Sequence, residues 1–246
     1  TPDVIFGSGN ANGGFTVDRN SGVELGLRGK LRFNDSNLPE NTFNSNGDGT
    51  YSFDAGVPNP GFGFTPDFSP STALWNFEWS VNSDYDGSSG NNLDDFTYQL
   101  DIDFDPSSST NFFTLDPINL TNADHGIGDN STANGDGLVA AGNNNANTTK
   151  TYDELIADYN VAQNSWNMEF FDDASLGFSF DGRTPGFYDI QLSAFNDGGQ
   201  GRVASTGIQI IVGQGGAAPI PEPSTFLLLG SGLAGLGFYA RKRKKA

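Results

Sequence analysis

An antiparallel β-sandwich with one short helix and long Asn/Gly-rich loops, all-β apart from a single transmembrane helix at the C-terminus, is the fold this chain predicts. Three observations carry the prediction. Apolar residues come in short clusters that alternate with polar ones at period two, the pattern of strands with one buried face. Gly, Asn, Ser, Asp and Thr fill the stretches between clusters, which makes turns frequent. One segment before the tail has helical periodicity, so few elements other than strands are available to build layers.

Taken in order, Val23–Arg28 and Lys30–Phe33 read as early strands. Thr50–Phe53 follows Asn46-Gly47-Asp48-Gly49, whose residues suit a tight hairpin turn. Leu74–Val81 and Asp95–Phe104 alternate cleanly as half-buried strands, and the apolar-poor stretch from Asp124 to Thr149 reads as a long exposed loop. Thr151 and Glu154 form a capping box for a helix whose Tyr152, Leu155, Ile156 and Tyr159 share a face. Strands follow at Ser165–Phe171, Leu176–Phe180, Gly186–Phe195 and Val203–Val212, the last two joined by the Gly-rich loop Asn196–Gly201. Pro185 to Leu192 resembles the penultimate strand of immunoglobulin-like and PKD-like modules, with Tyr188 where a tyrosine corner would tie strand to loop. The β-domain is placed at 1–212 and a flexible Gly/Ala/Pro linker at 213–220. Thr1, with no Met and no leader before it, reads as a mature N-terminus.

Charge and cysteine content narrow the chemistry. Residues 1–218 hold seven basic against 29 acidic residues, a net −22 that repels nucleic acid and anionic lipid and favours cations. With no cysteine, disulfides, thiolate metal sites and a Cys nucleophile are all excluded. The sole histidine, His125, rules out a His-rich metal centre and reads as a loop residue without a role. No cofactor is implied except calcium. Asp101, Asp103 and Asp105 alternate on a predicted strand, so their carboxylates project from one face, either solvated or bridged by Ca2+. Asn44, Asn46 and Asp48 begin like a calcium loop, but Ala55 stands where a bidentate Glu is needed.

Trp75-Asn76-Phe77-Glu78-Trp79 is echoed by Trp166-Asn167-Met168-Glu169-Phe170. Were these strands neighbours, Glu78 and Glu169 could face each other across a concave sheet, and paired carboxylates there would suit a glycosidase. Otherwise the aromatics are core and the Asn/Glu face is wet.

The last 26 residues, 221–246, combine three features in order. Pro221-Glu222-Pro223 is rigid and extended, an apolar helix without a charged side chain is predicted over 224–240, and Arg241-Lys242-Arg243-Lys244-Lys245 closes the chain. The basic end marks a membrane stop that leaves the acidic domain outside. This tail resembles the PEP-CTERM sorting signal. The resemblance implies a Gram-negative, exported protein recognised and cleaved near Pro221, Glu222 and Pro223 by an exosortase. It also implies membrane anchoring through the tail before processing, and then delivery to the cell envelope, the surface or an exopolysaccharide biofilm matrix. The expected function is therefore structural or adhesive rather than enzymatic, with exosortase, the membrane and exopolysaccharide as partners and no nucleic acid. A carbohydrate-binding module or glycoside hydrolase using Glu78 and Glu169 is the alternative.

Self-repulsion within the acidic domain should lower its stability at low salt. The expected outcome is a rise in melting temperature that is equal for sodium and calcium at matched ionic strength. A calcium-specific rise that disappears in Asp103→Asn would instead reveal a bound ion at Asp101, Asp103 and Asp105.

Overall fold

The computed structural model describes residues 2–59, 69–119, 124–196 and 201–213. Among the described residues ten strands form two five-stranded sheets. Sheet A runs β1(Thr16–Asn20), β2(Val23–Leu31), β4(Trp75–Asn82), β8(Val161–Trp166), β7(Gly126–Gly128), and sheet B runs β3(Thr50–Phe53), β10(Arg202–Val212), β9(Gly186–Asn196), β5(Phe96–Asp103), β6(Phe112–Leu115). One helix, α1(Tyr152–Asp158), precedes β8. Every described strand pair is antiparallel except β3 with β10, which run parallel, with Thr50 beside Gln209.

The inward faces are those that period-two alternation predicts. Leu25, Leu27, Trp75, Phe77, Trp79 and Val81 from sheet A meet Tyr98, Leu100, Tyr188, Ile190, Leu192 and Ile210 from sheet B in one buried cluster. Trp75 is its cross-sheet pivot, stacked on Phe53 with centroids 6.2 Å apart and edge-on to Phe180 at 6.0 Å. Opposite, Gly29 makes room for sheet B, since a Cβ there would stand 2.8 Å from Phe53 and 2.9 Å from Ile210. Tyr188 is buried, and its hydroxyl donates to the Thr184 carbonyl at 3.2 Å, closing the predicted tyrosine corner.

Thr151 caps α1 and the reciprocal Glu154 bond completes the capping box, as expected. Other expectations change. The two early strands merge into one β2, in which Gly29 pairs with Phe77 without breaking the ladder, and it ends at Leu31, before Arg32 and Phe33. The short, weakly alternating β1 and β6 escape the sequence pattern. The 124–149 stretch is not wholly exposed: Gly126–Gly128 is a buried strand, and Ile127 also bridges Leu138. The strand expected at Ser165–Phe171 ends at Trp166, after which Met168–Phe171 forms a 3-10 turn. The one expected at Leu176–Phe180 is replaced by a 3-10 turn over Ala174–Leu176 and a lone bridge between Asp173 and Phe178, because Asp173 caps the turn locally.

The largest departure concerns the polar face of sheet A. Alternation at β2 and β4 predicts a wet outer face, yet Glu24, Arg28, Lys30, Asn76, Glu78, Ser80 and Asn82 are all buried. The N-terminal segment lies across this face. Gly135 and Gly137 donate backbone bonds to the Val4 and Ile5 carbonyls, and Gln163 accepts from the Ile5 amide at 2.8 Å. Close approach needs glycine beneath the segment: a Cβ at Gly137 would lie 2.7 Å from the Ile5 carbonyl oxygen. Sheet A is thus covered on both sides, whereas the outer face of sheet B is only partly covered: Gln191 is exposed and Asp189, Ser205 and Gln209 are half-buried, while Asp101, Asp103 and Ser193 are buried.

Among the described residues no helix is long and apolar enough to cross a membrane. The predicted membrane helix 224–240, the sorting motif and the basic end lie outside the described residues. The last described residue, Gly213, donates its amide to the Phe53 carbonyl at 2.8 Å, so β10 is anchored up to the linker.

Gly29→Val should destabilise the domain by about 1–3 kcal/mol through overpacking against Tyr51, Phe53 and Ile210. Urea unfolding monitored by tryptophan fluorescence would show a lower midpoint at unchanged slope. A midpoint equal to that of the parent chain would mean the two sheets are not packed this closely.

Candidate functional site

The buried cations Arg28 and Lys30 meet the buried Glu78 at the centre of the covered face of sheet A, while Asp84, Asp101 and Asp103 are buried elsewhere. Strand register sets Arg28 directly opposite Glu78. The Arg28 guanidinium donates to Glu78 Oε2 through Nε at 2.6 Å and lies 2.5 Å from it through Nη2. Two places along β2, Lys30 brings its Nζ to 3.5 Å from the other oxygen, Glu78 Oε1. That oxygen has no hydrogen-bond partner and is fully buried.

The N-terminal segment completes the cluster. Arg28 Nη1 donates to the Ala11 carbonyl at 3.0 Å and also to that of Gly13. Its guanidinium lies between the rings of Phe15 and Phe43, 4.3 and 4.2 Å from their centroids, a double cation–π arrangement. Lys30 Nζ donates to the side-chain oxygen of Asn10. Burial pushes the Lys30 ammonium below its ordinary pKa, against the opposing attraction of Glu78. Composition holds the one signal that could have located this group: the chain has two lysines before its tail, and Lys30 alternates with Arg28 on a strand whose other residues, Glu24 apart, are apolar or glycine.

Glu78 and Glu169 do not form the facing pair that the sequence echo suggested. The two segments are neighbours, since β4 pairs with β8, but Glu78 lies opposite Ser165 and the strand ends before Glu169. Glu169 sits in the 3-10 turn and accepts a bond from the Thr72 hydroxyl. Asn167, its neighbour, is committed to structure, donating to the Ala73 and Trp75 carbonyls at 2.9 and 3.0 Å.

Asp101 and Asp103 point outward from β5 in sheet B, and Asp105 lies past its end. Each is used locally. Asp101 accepts from Thr114 Oγ1 at 2.5 Å and from Gln99, Asp103 accepts the Asp105 and Asn111 amides at 3.0 and 2.7 Å, and Asp105 accepts the Ser107 amide at 2.9 Å. Among the described residues no group of three or more His, Cys, Asp or Glu is placed to hold a metal ion. Asp48 likewise serves its turn, accepting from the amide and hydroxyl of Thr50.

His125 is not the exposed loop residue its sequence context suggests. Its ring is fully enclosed beside Trp79, Trp166 and Tyr152, with centroids 4.7, 5.6 and 5.9 Å away. Nε2–H donates to the Pro117 carbonyl at 2.5 Å and Nδ1 accepts from Asn164 Nδ2 at 3.1 Å, so the neutral ring is satisfied at both nitrogens. Asn164 also donates to Asp124. Burial lowers the His125 pKa to about 4.

The unfolded chain therefore binds a proton on His125 near pH 6.5 that the folded chain refuses until about pH 4, so stability is lost as pH falls through that window. Loss on the order of 3 kcal/mol is expected, flattening below the lower value. His125→Gln, which can keep both hydrogen bonds, should remove this slope between about pH 6.5 and 4, as read from urea midpoints across pH. An unchanged slope would place the acid sensitivity elsewhere.

Residues 219–244 match the family model of the PEP-CTERM protein-sorting motif. No curated protein and no solved structure matches the chain. The match contains Pro221, Glu222, Pro223 and all but the last of the five basic residues Arg241 to Lys245. Set beside the acidic domain that ends at β10, it marks the chain as an exported protein that carries a C-terminal PEP-CTERM signal for membrane-associated sorting by an exosortase.

Proposed function

We propose that the β-domain is a structural or adhesive component of the cell surface or of an exopolysaccharide matrix, released there when an exosortase cuts the tail near Pro221, Glu222 and Pro223. The observation that carries this reading is where the aromatic residues lie. Trp75 and Trp79 are fully buried, as are Tyr51 and Tyr188, and the exposed large apolar side chains are Val17, Leu38, Phe170, Leu176 and Phe187. A glycan-binding platform of exposed Trp or Tyr is therefore lacking among the described residues, and the aromatic content serves the core.

The hydrolase alternative loses its support from the same geometry. A glycosidase needs two carboxylates on either side of an accessible bond. Glu78 is instead wholly buried and paired with Arg28, and Glu169 is bonded to Thr72. The outer face of sheet B, lined by Asp189, Gln191, Ser205 and Gln209, supports a hydrated contact surface. Its side chains largely bond each other, as Gln209 does to Asp189 at 2.8 Å and Ser193 to Ser205 at 2.9 Å. Such a surface suits weak, repeated contacts with a hydrated polymer.

Deleting Pro221–Pro223, or replacing Glu222 by Ala, should leave most of the protein membrane-bound with its tail attached. Intact mass of envelope and released fractions reads this out. Parent-like release and tail removal in both variants would refute recognition at this motif. Replacing Asp189 and Gln191 by Ala without loss of matrix association would separately discount the sheet B face.

A further inference from the structure

We propose that Lys30 and Asn10 are joined by an intramolecular isopeptide bond, formed by the folded domain itself with Glu78 as general base and proton carrier. The proposal rests on the juxtaposition of three side chains in one water-poor place. The Lys30 Nζ touches Asn10 Oδ1, and Glu78 Oε1 stands 3.5 Å from the same nitrogen. Lys30 and Glu78 are 6% and 0% exposed, and Glu78 Oε1 has no hydrogen-bond partner to compete for it.

Each participant is held by its neighbours. Arg28 grips only the Oε2 side of the carboxylate, which fixes the plane and leaves Oε1 turned to the amine. The Asn10 amide nitrogen donates to the Phe6 carbonyl at 3.0 Å, so its oxygen is turned to Lys30. The backbone around Asn10 is clamped from two loops: Asn134 donates to the Asn10 carbonyl at 2.7 Å, and Asn41 donates to that of Gly9 and accepts the Ala11 amide, both at 2.9 Å. Fixing amine and amide in contact replaces an encounter in solution by an effective molarity of order 10⁵ M or more, which is what an otherwise inert amide requires. Burial favours the neutral amine over the ammonium, supplying the nucleophile.

The chemistry balances without any co-reactant. Glu78 Oε1 takes a proton from the Lys30 ammonium, and the free amine attacks Cγ of Asn10 to form the new N–C bond. The tetrahedral adduct collapses as Glu78 delivers that proton to Nδ2, whose bond to Cγ breaks. The second proton lost by the attacking nitrogen leaves with the departing group. Ammonium is released, the Glu78 carboxylate is regenerated, and the product is a secondary amide between two side chains. An exported chain without cysteine would in this way acquire a covalent staple that no reductant can open. The inference does not depend on the sorting function, because the link is scored within the β-domain whatever happens to the tail.

The test is the mass of the full chain after denaturation, with peptide mapping. The parent protein should be one ammonia lighter than its sequence, and a branched peptide should connect the segment holding Asn10 to the one holding Lys30. Lys30→Arg and Asn10→Ala should each restore the sequence mass. Asn10→Ala should also lower the melting temperature by roughly 10 °C, as expected for opening a loop of about 20 residues. A parent chain at its full sequence mass would overturn the proposal. So would ammonia loss that persists in Lys30→Arg, since that places it at a succinimide in Asn12-Gly13, Asn46-Gly47 or Asn134-Gly135. Glu78→Gln and Glu78→Asp decide the base: linking should be absent in the first and slowed in the second, and parent-like linking in either folded variant would remove Glu78 from the reaction.

Discussion

The structure depends on the covering of a polar sheet face. Sheet A puts its apolar side chains into the sandwich, as alternation demands, and then loses access to water on the other side as well. A charged group left there alone would cost several kcal/mol, so each must be answered from within the protein. Arg28 and Glu78 answer each other, Lys30 turns to Glu78 and Asn10, Asn76 to Ser165, and Asn82 to Asn130 and Asn160. For Arg28 and Lys30 the partners in the N-terminal segment are the backbone carbonyls of residues 11 and 13 and the side-chain oxygen of Asn10. The high Asn and Gly content therefore has a structural use beyond turns: Asn supplies donor and acceptor together, and Gly lets one chain lie on another.

Sheet B answers its polar groups differently. Among the described residues its outer face has no covering segment like residues 2–15, and its polar side chains are answered within the sheet and its adjoining loop: the buried Asp101 by Thr114, the buried Asp103 by the Asn111 amide, and Asp189 by Gln209. Two of the few cations of this acidic domain, Arg28 and Lys30, are withdrawn beneath the N-terminal segment.

Legibility in the sequence follows from how local each signal is. The capping box of α1, the strands around Trp75, Leu100, Ile190 and Ile208, and the tyrosine corner at Tyr188 rest on spacing within one segment, and the sequence reading locates them. Alternation also identifies which face of β4 is core. It cannot reveal that the opposite face is covered, because the cover comes from residues 2–15, more than sixty positions earlier and without periodicity. The same limit hides the burial of His125, which depends on Trp79 and Trp166 arriving from two other strands. It hides the partners of Glu78 too: a one-strand pattern suggested another Glu, whereas the register supplies Arg28. The sorting tail was readable because all its determinants are contiguous.

The place of β10 in sheet B ties folding to the order in which the chain is exported. This last strand is interior, hydrogen-bonded to β9 on one side and, in parallel, to β3 on the other. Until residues 202–212 have been translocated, β3 has no strand partner in sheet B and the sandwich lacks its closing wall. Such long-range parallel pairing is slow to form, because most of the chain must be brought round before any contact rewards it. The matched sorting segment begins only seven residues after Val212. Sheet B therefore cannot be completed until the chain has been delivered almost to its sorting segment, so closure of the domain and presentation of that segment belong to the same late stage of export.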